Sequence, residues 1–323
     1  MANFVIYKTV FEEAEQKGLF GEKALDKAQE LFSGMFAGEK LTITKKKRNA
    51  EQVLLENEVE WKNGDIIVLF VCNDLSIKYF DKKEEKKQKS TPGCYVIIDN
   101  RPEAGLIAIE KASAFDNETD AVRNILQNSF NSRLSMDYGF KVDFRAKTSA
   151  EDFWKIVHDR VEREGDEVKR IEFEFPNMKK VDKKSIKAPK DTQKKLIYLS
   201  QLATSINAEK GLLNMVSEEG KALLVDQTCT DIAEMVHMCC VNGYSLGVQF
   251  SQYGMYRHGA EARALIPMAK EIIDEFVNGQ TVHANGGKST YRIVSWLDDV
   301  RKKTEKYKDE EKTKKGRKRR RQK

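Results

Sequence analysis

A chain of 323 residues is long enough for two domains and a sizeable core, which excludes a single-element peptide or a disulfide-stapled miniprotein. It is 40% hydrophobic and 33% charged with a formal net charge of +6, so it collapses while keeping a heavily solvated surface or charged tails. The longest unbroken apolar run, Ile66 to Cys72, is far too short to span a bilayer, the start lacks the pattern of a secretory signal, and the five cysteines read as reduced thiols. These features predict a cytoplasmic protein with no membrane partner.

In chain order, Phe4 to Phe11 carries the apolar and β-branched residues of a strand, and a helix is expected over 22–36 with Leu25, Ala28, Leu31, Phe32 and Met35 on one face. Leu41 to Thr44, Val53 to Trp61 and Asp65 to Phe80 read as strands of a β-rich meander, with Asn63-Gly64 as a turn. The charged stretch Asp81 to Lys89 is expected to be a solvated loop. Cys94 to Asp99 and Leu106 to Lys111 then flank a six-residue loop and form a hairpin that closes the first sheet.

From Asp120 the period becomes helical, with Val122, Ile125, Leu126, Phe130, Leu134 and Tyr138 on one face. Phe140, Val142 and Phe144 alternate with Lys141, Asp143 and Arg145, a strand with one wet face. Ser149 is the N-cap of a helix that buries Phe153, Trp154, Val157 and Val161 and ends at Gly165. In the next strand, Arg170 to Phe175, residues Ile171, Phe173 and Phe175 face the core before Pro176 ends it. This helix, strand, helix, strand order suggests an α/β unit that adds to the first sheet through a crossover.

Beyond a basic segment at 178–195, helices are expected over 196–206, 231–241, 266–277 and 291–307, with a strand at 245–250 and no clear preference over 212–226. The fold class is therefore α+β. A domain at 1–177 combines a β-rich region (1–113) with the α/β unit (114–177). A linker at 178–195, a mainly helical domain at 196–308 and a disordered basic tail at 309–323 complete the chain.

The net charge hides an asymmetry. Residues 301–323 hold 14 Lys/Arg against four Asp/Glu, a charge of +10, which leaves −4 for residues 1–300. The 178–195 segment has eight Lys and two Asp, or +6, so the remainder carries about −10. The body is acidic with two basic segments attached. In the last ten residues, Lys314, Lys315, Arg317, Lys318, Arg319, Arg320, Arg321 and Lys323 are basic and none is apolar. Such a block buries nothing and gains most by displacing counterions from a polyphosphate, which guanidinium groups also grip bidentately.

Four other patterns invite chemistry. Cys229, His237, Cys239 and Cys240 are residue types that bind zinc, but no second cluster completes four ligands, and a place in the core beside Met235 and Met238 is expected for the cysteines. Asp99, Glu110 and Lys111 superficially resemble the PD-(D/E)xK nuclease arrangement, except that Ile109 stands where a carboxylate is needed. Glu172 and Glu174 share a strand face, as in any half-buried strand. Asn285 to Thr290 ends like a phosphate-binding loop without its first glycine, and Gly254 to Gly259 reads as a loop able to stack on a nucleotide.

No catalytic residue, metal or cofactor is assigned on these grounds. The expectation is a nucleic-acid-associated binding or assembly protein, tethered to DNA or RNA with low sequence specificity through the basic tail, with a protein partner or a second copy left open. The alternative is a metal-dependent nuclease or nucleic-acid-targeting effector for which the tail raises the local substrate concentration; separately, the general design, an acidic α+β body with a basic tail, resembles bacterial proteins associated with phage defence and mobile elements.

Overall fold

The computed structural model describes residues 1–15, 24–37, 43–46, 52–55, 57–73, 75–81, 84–90, 92–177, 188, 190–259, 263–283 and 289–305. The protein is α+β, built on two antiparallel sheets. The first begins with β1 (Ala2–Glu13), β2 (Asn57–Asn63), β3 (Ile66–Cys72), β4 (Gly93–Asp99), β5 (Leu106–Glu110) and β6 (Phe140–Ala146). The second consists of β7 (Val168–Pro176), β8 (Lys210–Val216), β9 (Leu246–Phe250) and β10 (Gly254–His258), after which β11 (Leu265–Met268) returns to the first sheet. The helices are α1 (Ala28–Gly34), α2 (Thr119–Tyr138), α3 (Ala150–His158), α4 (Lys190–Ser205), α5 (Thr230–Asn242), α6 (Lys270–Val277) and α7 (Arg292–Glu305).

Strand β1 organises the molecule. One edge pairs with β5, Phe4 opposite Glu110 and Lys8 opposite Leu106. The other edge is shared: Ala2–Val5 pairs with β11, and Tyr7–Glu13 pairs with β6. The order is β6-β1-β5-β4-β3-β2, with β11 as the seventh strand. Because strand side chains alternate between faces, β1 serves several cores at once. Val5, Tyr7 and Phe11 join α1 and α2 in an aromatic-rich core, where Phe32 meets Phe11, Phe36 and Phe130 edge to face at 5.2–5.6 Å. On the opposite face Ala2, Phe4 and Ile6 pack with Ile273 and Phe276 of α6 and Ile293, Leu297 and Val300 of α7. Val10, further along that face, belongs to the core of the second sheet with α3, α4 and α5. The polar end of that face, Glu12, lies beyond all three cores.

The second sheet has the order β8-β7-β9-β10. Ile171, Phe173 and Phe175 face its core as expected, joined by Leu246, Val248, Phe250 and the apolar side of α5. Several expectations change. Residues 84–90, expected as a loop, pair with 75–81 in a two-stranded ribbon, Leu75 opposite Ser90 and Asp81 opposite Glu84. Backbone pairing in a ribbon needs no apolar alternation, so the charged sequence concealed it. Residues 254–258 form β10 at a sheet edge, not a loop. The helix expected over 266–277 starts only at Lys270, because Leu265–Met268 is drawn into the ladder beside β1, with Pro267 opposite Asn3.

The crossover also differs. Helix α2 and strand β6 add to the first sheet, but β7 starts the second one. Since β7 pairs with β8 and β9, strands on either side of 178–195 belong to one sheet, and that segment does not mark a border between separately built sheets. Helices make up much of 196–308, yet six strands lie there among the described residues, two of them of only two residues each, and its final portion covers the first sheet. Among the described residues no helix is long and apolar enough to cross a membrane.

Candidate functional site: a charged cleft between the two sheets

The suspected nuclease residues do not meet. Asp99 is 1% exposed and forms a bidentate pair with Arg101, whose Nε and Nη2 donate to its two oxygens at 2.8 and 2.7 Å. Arg101 also donates to Asp298 at 2.9 Å, stapling the β4–β5 loop to α7. Glu110 lies at the other end of the same hairpin, where its Oε2 accepts from the Tyr95 amide at 2.9 Å. Glu172 and Glu174 do share a face, but Glu172 bridges Arg170 (2.5 Å) and Arg257 (3.2 Å), whereas Glu174 accepts from Lys210 (3.0 Å) and the Ser245 amide (3.1 Å). Each carboxylate holds a loop or a neighbouring strand in place.

The cysteines are core residues. Cys239 and Cys240 are buried on α5, burial pushes both thiols up (Cys240 to about 12), and the Cys239 thiol faces the Glu174 carbonyl at 3.6 Å. Cys229 is exposed and stands at the N-cap position of α5 without a side-chain capping bond. Among the described residues no group of three or more His, Cys, Asp and Glu could hold a metal ion. The basic residues Lys314, Lys315, Arg317, Lys318, Arg319, Arg320, Arg321 and Lys323 lie outside the described residues, as do 285–288 of the glycine-rich segment, whose Ser289 and Thr290 pair with Val282 and His283.

Polar side chains do converge where the sheets meet. Alternation along β6 sends Phe140, Val142 and Phe144 into the aromatic core and leaves Lys141, Asp143 and Arg145 on the other face, beside Glu12 of β1. The second sheet closes over that face with Pro176, Glu209, Lys210 and Tyr244, enclosing a cleft of about 240 Å³. Gly243 permits the close approach: its φ is +67°, and a Cβ there would lie 2.5 Å from the Arg145 Cβ and 2.9 Å from the Ala146 carbonyl oxygen.

Arg145 is central. Its Nη2 donates to Glu12, its Nε donates to Asp143 at 2.7 Å, and its guanidinium lies 4.5 Å from the centre of the Tyr244 ring. Lys141 Nζ bridges Glu209 (2.8 Å) and Glu12 (3.5 Å). Burial pushes the Glu12 carboxyl up, with Asp143 and Glu209 adding to it, against the pull of Arg145 and Lys141. For Arg145 burial opposes the charge, but Tyr244, Asp143 and Glu12 outweigh it and hold the guanidinium above its ordinary value. Burial likewise raises the Tyr244 phenol.

The alternation of β6 was visible in the sequence, but only as a face turned to water. Glu12, Glu209, Lys210 and Tyr244 carried no local signal, since tertiary packing alone brings them together. Comparisons with protein-family models, curated proteins and solved structures return no match for this chain.

Proposed function

We propose that the protein is a nucleic-acid-associated binding or assembly factor, held on DNA or RNA with low sequence preference by its basic C-terminal segment, with a body that does not itself cut the polymer. The observation that carries this reading is the charge distribution: +10 over residues 301–323 against −4 over residues 1–300. A block such as Arg317 to Arg321 attracts phosphates through counterion release, whereas an acidic body is repelled by them. Support for a non-cutting body comes from the structural engagement of Asp99, Glu110, Glu172 and Glu174.

The test compares the full chain with one lacking residues 312–323, by fluorescence anisotropy on labelled duplex DNA and RNA across a salt series. The full chain should bind with an affinity that falls steeply as salt rises, and the deletion should lose most of that binding. Its thermal stability should change by no more than about 1 kcal/mol, the expectation for a segment whose sequence holds no core-forming residue. Equal binding by the two proteins would overturn the reading.

A further inference from the structure

We propose that β8, at the open edge of the second sheet, pairs with β8 of a second copy of the chain, joining two four-stranded sheets into one across a two-fold axis. The ladder between β7 and β8 is closed at its ends by the Asn177 amide, which donates to the Glu209 carbonyl at 3.2 Å, and the Ser217 amide, which donates to the Lys169 carbonyl at 2.9 Å. Backbone groups of an antiparallel strand turn alternately to one neighbour and the other. The odd-numbered residues of β8 therefore face β7, and the even-numbered ones, Lys210, Leu212, Asn214 and Val216, face outward. Among the described residues no strand lies on that side, and the N–H and C=O groups of those residues meet no backbone partner.

The edge fits its own copy. With Leu213 on the axis, Leu212 lies opposite Asn214 of the copy and Lys210 opposite Val216, so every outward residue pairs with an outward residue. The two Lys210 residues then stand about 20 Å apart along the strands, and no like charges face each other. The strand holds no proline, has no bulge against β7 and carries its single charge at one end, so it lacks the devices that keep an edge from pairing. Backbone pairing alone is marginal in water and needs apolar burial beside it. Helix α4 supplies this, since it lies over β8 and β7, next to the edge, whereas α5 lies over β7 and β9. Four of the fourteen exposed large hydrophobic side chains among the described residues, Ile197, Tyr198, Leu202 and Ile206, are on α4 or directly after it, which is a concentration typical of an interaction site. Residues opposite each other in an antiparallel pair point to the same face, so both α4 helices lie on one side of the joined sheet and flank the junction. Pairing uses this edge in both chains, and assembly stops at two.

The experiment is sedimentation velocity on the full chain from about 1 to 100 µM, at about 0.5 M salt so that contacts of the basic segment are screened. At the upper end the mass should be twice that of one chain, with a dimer Kd at or below about 10 µM. Asn214→Pro removes an outward N–H and leaves the bonds to β7, losing only the exposed Arg170 bond to the Asn214 side chain, and proline is tolerated on an edge whose N–H faces away from the ladder. Leu202→Glu puts a charge at an exposed helical position and leaves the strand untouched. Each variant should weaken association about tenfold or more with an unchanged circular dichroism spectrum, and Leu202→Glu decides if Asn214→Pro does not fold. The inference is overturned if the parent stays a monomer at about 100 µM, if its mass exceeds two chains, or if a folded variant associates like the parent.

Discussion

The two sheets differ in how they are covered. The first has α1 and α2 on one face and α6 and α7 on the other, so its strand β3 is a continuous apolar run, with Ile67, Leu69 and Val71 in one core and Ile66 and Val68 in the other. Among the described residues the second sheet turns one face to helices, and β7 alternates accordingly. On its other face Glu172 lies opposite Asn214 of β8 and Gly247 of β9, while Arg170 lies opposite Val216 and Gln249. Even so, Glu172 is only 3% exposed, because Arg170 and Arg257 reach it from either side. A face without a helix over it is thus not simply a wet one: long cationic side chains bury the carboxylate they neutralise.

The contrast predicts that truncation in the doubly covered sheet costs most. Phe32→Ala removes a ring in contact with Phe11, Phe36 and Phe130 and should destabilise the protein by about 3–5 kcal/mol in urea unfolding, the range for losing a buried aromatic side chain. A cost below about 1 kcal/mol would mean that this core is loosely packed and that the contrast between the sheets is weaker than it looks.

An intermediate effect belongs to the rim of the second sheet. Asp166 is buried and accepts from the Ser251 hydroxyl and the amides of Gln252, Tyr253 and Glu167 at 2.7–3.0 Å, fixing the β9–β10 turn. Burial pushes this carboxyl up, but the four hydrogen bonds outweigh it and hold it at about 2. Asp166→Asn should cost about 1–2 kcal/mol at neutral pH, as expected for lost hydrogen bonds to a charged group. Since the folded-state pKa is depressed, the stabilisation is complete above the unfolded value of about 3.9 and disappears as pH falls towards about 2. The gap in melting temperature between parent and variant should narrow across that window, and a gap independent of pH would remove the electrostatic account. The smallest effect is expected on the face without helices, where Val216 is exposed: Val216→Ser should stay within about 0.5 kcal/mol. A larger loss would show that something covers this face in solution.

Much of the element pattern was legible because it depends on contrasts between neighbouring residues. Ser149 caps α3 by accepting from the Asp152 amide at 3.3 Å, and Asn63-Gly64 turns the chain between β2 and β3 with Gly64 at φ +58°. The ribbon at 75–90 was missed because its charged residues give no such contrast, and β11 because its four residues precede a strongly amphipathic helix.

What the sequence determined by itself was therefore local: the periods, the caps, the apolar run of β3, the half-buried strand β7, the core placement of Cys239 and Cys240, and the concentration of positive charge near the C-terminus. Only the tertiary structure decided that β7 leaves the first sheet for a second, that β1 divides one edge between partners about 120 residues apart, and that the polar face of β6 looks onto Tyr244 and Lys210. The physical reason is that alternation reports a difference between the two faces of a strand and says nothing about what lies opposite either one. That is settled by long-range pairings, such as Tyr7 with Ala146 and Val5 with Leu265, whose loop-closure cost and packing gain have no counterpart in the residues next along the chain.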